Sequence, residues 1–190
     1  MMKKEFDKVY MHYDSFMKIF NLYKDTEITE ALNLSGDEII LDLGGGTGYL
    51  ANTLIEHCKK IYILDESEKM LSELELTNGI IPICGDAFDL SEIHDAIDIV
   101  IMSDVFHHIK DQELLIDAIY EKLNSGGRLL IMDFHKKHFK VRLLMMFEYI
   151  LFGKLFFRTN KELKEIVSKK FQISKYCDYK YYFIVVGERI

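Results

Sequence analysis

Short apolar runs alternate with amphipathic stretches along the chain from residue 38 onward. The runs are rich in Ile, Val and Leu and too continuous to bury only one face, so they predict parallel strands covered on both sides. In the stretches between them, apolar residues recur every three or four positions, as in helices that cross over a sheet. The predicted strands are 38–43, 60–64, 79–83, 97–102 and 127–133, and the predicted helices are 49–57, 67–76 and 111–123. This alternation is typical of the α/β class.

The two ends of the chain depart from this alternation. Residues 172–176 and 181–188 are β-rich and predict an antiparallel hairpin that closes the sheet. Residues 3–34 have helical spacing and many aromatic side chains. We expect one or two helices there, packed over the edge of the sheet that binds a ligand; a stripe that serves only as core is the alternative.

Composition and length favour one globular domain. The chain has 190 residues, 49% of them apolar, and a single proline, which excludes disordered and low-complexity classes. Its three cysteines form no Cys-x-x-Cys pair, which argues against a disulfide framework or a zinc site and favours a reducing compartment. No apolar run follows the first lysines, so we expect no secretory signal and a cytoplasmic protein.

Charge is unevenly distributed along the chain. The net charge of −7 disfavours nucleic acid as a partner, because phosphate binding depends on basic surface. Residues 134–161, however, contain seven basic side chains and one acid, Glu148. This apolar and basic segment has two open interpretations. It either contacts a membrane surface, or it is a helix packed on the protein or in a dimer interface.

A glycine-rich loop follows the first predicted strand. Residues 39–50 read Ile-Ile-Leu-Asp-Leu-Gly-Gly-Gly-Thr-Gly-Tyr-Leu. Glycine lacks a Cβ, so such a loop lets the backbone approach a ligand closely. A phosphate-binding P-loop needs Lys and Ser or Thr after its last glycine, and both are absent here. The dinucleotide fingerprint needs a third glycine where Tyr49 stands, which disfavours NAD.

An acid precedes this loop, giving the pattern Asp42-x-Gly44-x-Gly46-x-Gly48. A carboxylate there repels a pyrophosphate but suits a ligand that carries an ammonium group. The pattern resembles the first motif of the class I S-adenosylmethionine-dependent methyltransferases. The resemblance implies that Asp42 orders the loop and faces the amino group of the cofactor. It also implies that the loop glycines cradle the methionine part: Gly44, Gly45, Gly46 and Gly48.

Two further acids follow strands in the order that this family shows. Asp65 ends the second predicted strand, where a carboxylate can accept hydrogen bonds from both ribose hydroxyls; the alternative role is to cap the helix that follows. By resemblance, Asp86 accepts a hydrogen bond from the adenine amino group and Ala87 offers its amide to the ring. The remaining candidate cofactor contacts are Glu66, Met70 and Phe88. For Met70 and Phe88, packing in the core is the alternative.

The segment from Ser103 to His108 resembles the fourth motif of the family in its His-His form. Ser103 and Asp104 are expected to line the methyl-transfer cleft, because ligands bind at the carboxyl ends of strands in open α/β sheets. Ser103 is also a candidate cofactor contact. The candidate catalytic residues are His107, as a general base, and Asp104; His108 is expected to lie near the cofactor. Adjacent histidines diverge and the spacing shows no third ligand, so we expect no metal.

The resemblance covers residues 37–133 and the last predicted strand. It implies a doubly wound, Rossmann-like, seven-stranded sheet, mostly parallel with an antiparallel C-terminal strand and with helices on both faces. The resemblance also implies that residues 1–190 form a single domain with four parts. They are a helical cap (1–36), a cofactor-binding core (37–133), a lid insertion (134–161) and a C-terminal helix and hairpin (162–190).

The implied reaction is methyl transfer from S-adenosyl-L-methionine to a small-molecule acceptor, which leaves S-adenosyl-L-homocysteine. Tyr13 belongs to a Tyr-Asp pair similar to one in the ubiquinone and menaquinone methyltransferases, which places it at the cofactor and favours a hydrophobic, quinone-like or lipid-like acceptor. Two alternatives stay open. One is a non-catalytic relative that binds the cofactor or a partner, and the other is an NAD-dependent oxidoreductase.

Overall fold

The structure is a computed structural model that describes residues 23–75 and 77–190. Within these residues, seven strands form a mixed sheet, with helices between them in the sequence. The chain divides into two compact units, one ending at Asp95 and the other beginning at Ala96. The α/β class and the seven strands agree with the prediction. Tyr13, which was predicted to contact the cofactor, lies outside the described residues.

The first unit builds a parallel sheet. Its elements are α1 (Asp25–Leu32), β1 (Ile39–Leu43), α2 (Tyr49–Leu54) continued by a 3-10 turn (Ile55–His57), β2 (Lys60–Asp65), α3 (Glu68–Ser72) and β3 (Ile80–Cys84). Strand β2 lies between β1 and β3 and pairs in parallel with both. Leu41 is opposite Tyr62, and Tyr62 is opposite Ile81. Because all three strands are parallel, their carboxyl ends lie side by side.

The second unit continues the strand and helix alternation and ends in a hairpin. Its elements are β4 (Ile97–Ser103), a 3-10 turn (Phe106–His108), α4 (Gln112–Lys122), β5 (Leu123–Phe134), α5 (Phe139–Phe152), α6 (Asn160–Val167), β6 (Gln172–Asp178) and β7 (Tyr182–Glu188). Strands β4 and β5 are parallel. Strand β7 lies between β5 and β6 and is antiparallel to both, as predicted for the C-terminal strand.

The apolar runs that predicted strands are the core of each unit. Ile40, Leu41, Ile61 and Ile63 are fully buried in the first unit, as are the central residues of β4, β5 and β7 in the second. Helix α6 begins at a capping box, in which the Thr159 hydroxyl accepts from the Glu162 N–H and the Glu162 carboxylate accepts from the Thr159 N–H. No helix among the described residues is long and apolar enough to cross a bilayer.

Two predicted boundaries differ from the structure by four residues each. The predicted helix 67–76 ends at Ser72 because the chain then turns Leu74 inward, where its side chain packs against Gly48. The predicted strand 127–133 begins earlier, at Leu123. There the Asn124 side-chain amide donates to the Asp98 carboxylate at 2.7 Å, which holds this stretch alongside β4. Both differences come from tertiary contacts that local periodicity does not encode.

Candidate cofactor site and a buried acid–histidine cluster

The glycine loop between β1 and α2 is shaped by left-handed backbone conformations. Gly44, Gly46 and Gly48 have φ values of 80°, 56° and 75°, a region that residues with a Cβ adopt at a cost. The Gly44 N–H donates to the Leu64 carbonyl at 2.7 Å, and the Gly46 N–H donates to Asp65 Oδ2 at 3.0 Å. The end of β2 therefore fixes the loop that follows β1.

Close packing also requires glycine at two loop positions. A Cβ on Gly45 would lie 2.6 Å from Asp42 Oδ2, and a Cβ on Gly48 would overlap the Leu74 side chain. Gly45 thus allows the Asp42 carboxylate to lie directly beneath the loop. The sequence pattern of one acid and alternate glycines is accounted for by these contacts.

Asp42 is a buried acid beneath the glycine loop. It is the penultimate residue of β1 and only 2% exposed, and its Oδ2 has no hydrogen-bond partner among the described residues. Burial, together with the negative charge of Asp65, raises the pKa of Asp42 to about 7. A ligand that brings a positively charged donor to this carboxylate would supply the missing hydrogen bond and balance the buried negative charge.

Asp65 links the end of β2 to the loop and to α3. Its Oδ1 accepts from the Ser67 N–H at 2.8 Å, while Oδ2 accepts from Gly46. The helix cap itself is Ser67, whose hydroxyl accepts from the Met70 N–H at 3.2 Å. Asp65 thus ties the end of β2 both to the loop and to the start of α3.

The other expected cofactor contacts of the first unit differ in burial. Met70 is buried, and its terminal methyl would lie 3.2 Å from a Cβ on Gly46, so it packs under the loop. Asp86 is exposed and its Oδ1 accepts from the Phe88 N–H at 2.8 Å, forming a turn after β3. Phe88 is 44% exposed, and Glu66 and Ala87 are partly exposed. The last four residues are accessible to a ligand.

In the second unit, the chain after β4 makes a sharp turn. Ser103 ends the strand partly exposed, and Asp104 has a φ of 59°, an uncommon value for a residue with a side chain. The Asp104 N–H donates to the Met132 carbonyl of β5 at 3.1 Å. The turn directs His107 inward, where it is fully buried. His108 is also buried and meets the ring of Phe152 edge-on.

His107 lies at the centre of three carboxylates. Its Nδ1 is 3.0 Å from Asp133 Oδ1, and its Nε2 is 3.6 Å from Glu148 Oε2 and 4.0 Å from Asp104 Oδ1. The Phe157 ring stacks on the imidazole at 3.9 Å. Asp133 ends β5 and Glu148 lies on α5, so four elements supply this cluster. Glu148 was not predicted as a site residue; its only sequence signal is that it is the single acid of segment 134–161.

The charges in this cluster shift the pKa values of its members. Burial alone would lower the pKa of His107, but the carboxylates, led by Asp133, outweigh it and raise the pKa to about 9. Burial raises the pKa of Glu148 to about 7 and raises that of Asp104 as well. Burial and the neighbouring His107 lower the pKa of His108. The carboxylates thus favour the protonated imidazole of His107, and its expected role as general base stays a prediction.

Comparison with known proteins now gives the class of protein. Residues 41–131 match the family model of a methyltransferase domain. An uncharacterized methyltransferase of Anoxybacillus flavithermus is 29% identical over 128 residues, which are 66% of this chain and 59% of that protein. The chain thus spans about three fifths of that relative.

Solved structures share the fold along most or all of the chain. One is a chain of the complex between the Haloferax volcanii Trm112 methyltransferase activator and a methyltransferase, with a TM-score of 0.81, 16% identity, and coverage of 100% of this chain and 97% of that one. Another is the N-methyltransferase NodS of Bradyrhizobium japonicum in complex with S-adenosylhomocysteine, with a TM-score of 0.69, 14% identity, and coverage of 87% and 85%.

The core of the chain, from β1 to β5, is thus a domain of the class I S-adenosylmethionine-dependent methyltransferase family. The matched region begins in the strand that carries Asp42 and ends in the strand that carries Asp133. The family and the Rossmann-like fold that the glycine motif predicted are confirmed.

Proposed function

We propose that this chain catalyses S-adenosylmethionine-dependent methylation of a small, hydrophobic acceptor. The observation that carries the proposal is the buried Asp42 carboxylate beneath the glycine loop, whose Oδ2 finds no donor among the described residues. S-adenosylmethionine offers an ammonium group as that donor and two ribose hydroxyls for Asp65. When bound, it supplies a methyl group that its sulfonium centre already activates.

The residues of the first unit each have a proposed part in holding the cofactor. Asp42 orients the amino group, and the loop backbone at Gly44, Gly45, Gly46 and Gly48 follows the methionine part. Asp65 accepts the ribose hydroxyls while it keeps the loop in place through the Gly46 N–H. The adenine end is assigned to the residues around α3 and after β3: Glu66, Met70, Asp86, Ala87 and Phe88.

The second unit supports a reaction that needs little proton transfer. His107 is fully buried, and both of its ring nitrogens face carboxylates, those of Asp133, Glu148 and Asp104, so it is not placed to take a proton from an acceptor. We therefore infer an acceptor atom with a free lone pair or an already ionised acceptor, for which alignment is the main requirement. The expected contacts of Ser103, Asp104 and His108 with the cofactor or acceptor remain predictions.

The hydrophobic character of the acceptor is inferred from α5. This helix presents Phe139, Leu143, Met146 and Ile150 to the exterior, each more than half exposed. A surface of this kind suits an acceptor that partitions into lipid or a lipid-like environment. Screening therefore begins with hydrophobic quinols and lipids.

The cofactor assignment is tested by isothermal titration calorimetry with S-adenosylhomocysteine. We expect Asp65→Ala and Asp86→Ala to weaken binding at least tenfold, because each removes an acceptor assigned to a cofactor donor. Asp89→Ala is the matched control, since Asp89 is also exposed and accepts from a backbone N–H two residues on, that of Ser91 at 3.1 Å. It should bind like the unchanged chain.

Three results would count against the proposal. Unchanged affinity in both variants contradicts the assigned site. Binding of NADH in place of S-adenosylhomocysteine favours the oxidoreductase. Tight cofactor binding without methyl transfer to any acceptor favours the non-catalytic relative.

A further inference from the structure

Three potential ligand atoms converge in the interior of the second unit. They are Asp104 Oδ1 from the turn after β4, His107 Nε2 from the 3-10 turn, and Glu148 Oε2 from α5. All three lie within 4.8 Å of one another. Four-coordinate zinc binds its ligands at about 2.0–2.2 Å, which puts them about 3.4 Å apart. The separations of 3.6 Å and 4.0 Å from Nε2 come close to that arrangement before any side chain adjusts.

Each of these atoms is buried and has no hydrogen-bond partner among the described residues. His107 is 0% exposed, and the Glu148 residue is 7% exposed. A buried polar atom without a partner costs roughly 1–3 kcal/mol, and more when it is charged. Three such atoms within 4.8 Å of one another are a place where one bound group would satisfy all of them.

The opposite edge of the imidazole is fixed in the orientation that metal-binding histidines use. His107 Nδ1 lies 3.0 Å from Asp133 Oδ1, and this carboxylate oxygen also accepts from the Phe134 N–H at 2.7 Å. When Nδ1 donates to Asp133, the neutral imidazole presents the lone pair of Nε2 to the other two ligand atoms. A carboxylate behind the ligating histidine raises the basicity of the ligand and holds the ring in place.

Charge balance points to a cation in the same place. Three carboxylates surround a single imidazole, and in the described part of the chain no lysine or arginine lies within ion-pair distance of them. Even with the imidazole protonated, the cluster would be strongly negative if the acids were ionised. A divalent cation offsets this charge without a second basic side chain.

We propose that Asp104, His107 and Glu148 bind one divalent transition-metal ion, for which zinc is the best match. One imidazole nitrogen and two carboxylate oxygens suit zinc, which has no strong geometric preference of its own. Three protein ligands leave a fourth position open. Because Glu148 belongs to α5, the ion joins this helix to the turn after β4, so it fixes the segment that was predicted as a lid.

The test uses the full-length chain without an affinity tag, stripped of metal with a chelator and then titrated with zinc. We expect one zinc per chain by elemental analysis, and a higher melting temperature with zinc than with chelator. Glu148→Gln keeps the size of the side chain but removes its charge, and it should weaken zinc binding at least tenfold in competition with a chromophoric chelator. Asp133→Asn should weaken it by about 10- to 100-fold, the usual effect of removing a carboxylate behind a metal-bound histidine.

Glu165→Gln is the matched control, because Glu165 is an exposed acid on α6 whose side chain is 3.9 Å from Lys161. It should bind zinc like the unchanged chain. Asp104→Asn provides a second ligand variant if Glu148→Gln does not fold, as judged by circular dichroism without metal. Substitution with cobalt should give visible absorption that Glu148→Gln changes.

The proposal is overturned if the chain binds no zinc, or if it binds zinc equally well in the Glu148, Asp104 and Asp133 variants. The second result would place the ion elsewhere, for instance on the thiols of Cys58, Cys84 or Cys177. None of these readouts requires methyl transfer, so the test is independent of the proposed function.

Discussion

Asp42 and Glu148 are acids in the protein interior, one beneath the glycine loop and one on the inner face of α5. Each has an oxygen that no described residue bonds, and the pKa of each is raised to about 7. Burying an ionised group without a partner is unfavourable by several kcal/mol. Residues of this kind weaken the fold unless a ligand completes them, and each of the two proposed binding sites contains one.

The raised pKa of Asp42 predicts that replacing this acid with Asn increases stability but weakens cofactor binding. Its folded-state pKa of about 7 is above the ordinary value near 4. Between pH 4 and pH 7, therefore, Asp42 is protonated in the folded state and ionised in the unfolded state. Asp42 therefore lowers stability as pH rises from about 4 to 7. Asp42→Asn should melt higher than the unchanged chain at pH 8, with a smaller difference at pH 5, while its affinity for S-adenosylhomocysteine falls at least tenfold.

The same pKa predicts that the unchanged chain binds S-adenosylhomocysteine more tightly at pH 8 than at pH 6. The ammonium group prefers the ionised carboxylate, so below pH 7 binding must first release the Asp42 proton. Calorimetry at both pH values measures this, with Asp37→Asn, a change at an exposed acid of the same unit, as the control. Equal affinity in Asp42→Asn and in the unchanged chain would show that the amino group lies elsewhere.

Asp42 and Asp65 could be predicted as candidate cofactor residues because each is one of the last two residues of a strand, just before a turn. Glu148 could not be identified in this way. It is 41 residues from His107, and only the packing of α5 turns it towards the imidazole. The expectation of no metal rested on the spacing around the two histidines, and the proposed ligand Glu148 lies on a distant helix, where that spacing carries no signal.

Helix α5 is unusual as an element because its exposed face is apolar and its buried face holds an acid. Phe139, Leu143, Met146 and Ile150 recur at intervals of three or four residues and form one exposed stripe. Exposed Lys140, Arg142 and Lys154 flank it within a segment of net charge +6. Of the two open interpretations of this segment, this pattern favours contact with an anionic lipid surface, where apolar side chains insert and basic ones meet headgroups.

This interpretation predicts binding to vesicles that contain anionic lipid. The chain should sediment with such vesicles, and Leu143→Glu and Ile150→Glu should abolish this, because each places a charge in the inserted stripe. Leu114→Glu on α4 is the matched control, since Leu114 is 63% exposed but lies outside segment 134–161. Binding should also weaken in high salt, as the basic residues are screened.

If the unchanged chain does not sediment with the vesicles, or if all three glutamate variants still do, the membrane interpretation is wrong. If the unchanged chain has the mass of a dimer in solution and Ile150→Glu has the mass of a monomer, the stripe is instead a dimer interface.

For the whole molecule, the strand pattern was the most predictable feature. All seven strands appear where the sequence predicted them. The five of the strand and helix alternation were predictable because a strand buried on both faces needs a continuous apolar sequence. The extent of β5 and of α3 was not predictable, since the Asn124–Asp98 hydrogen bond and the packing of Leu74 on Gly48 join distant parts of each unit.

The class of ligand can also be tested on the whole molecule, through thermal unfolding with S-adenosylmethionine, S-adenosylhomocysteine, NADH and ATP. A ligand at 100 times its dissociation constant stabilises the folded chain by about 2.7 kcal/mol. For a chain of 190 residues this corresponds to a rise of roughly 5–11 °C in melting temperature. We expect that rise with the first two ligands only, because Tyr49 replaces the glycine that a dinucleotide needs and no lysine follows the loop. A rise with NADH alone would mean that the acid before the loop does not exclude a pyrophosphate, and the methyltransferase proposal would then fail at its first step.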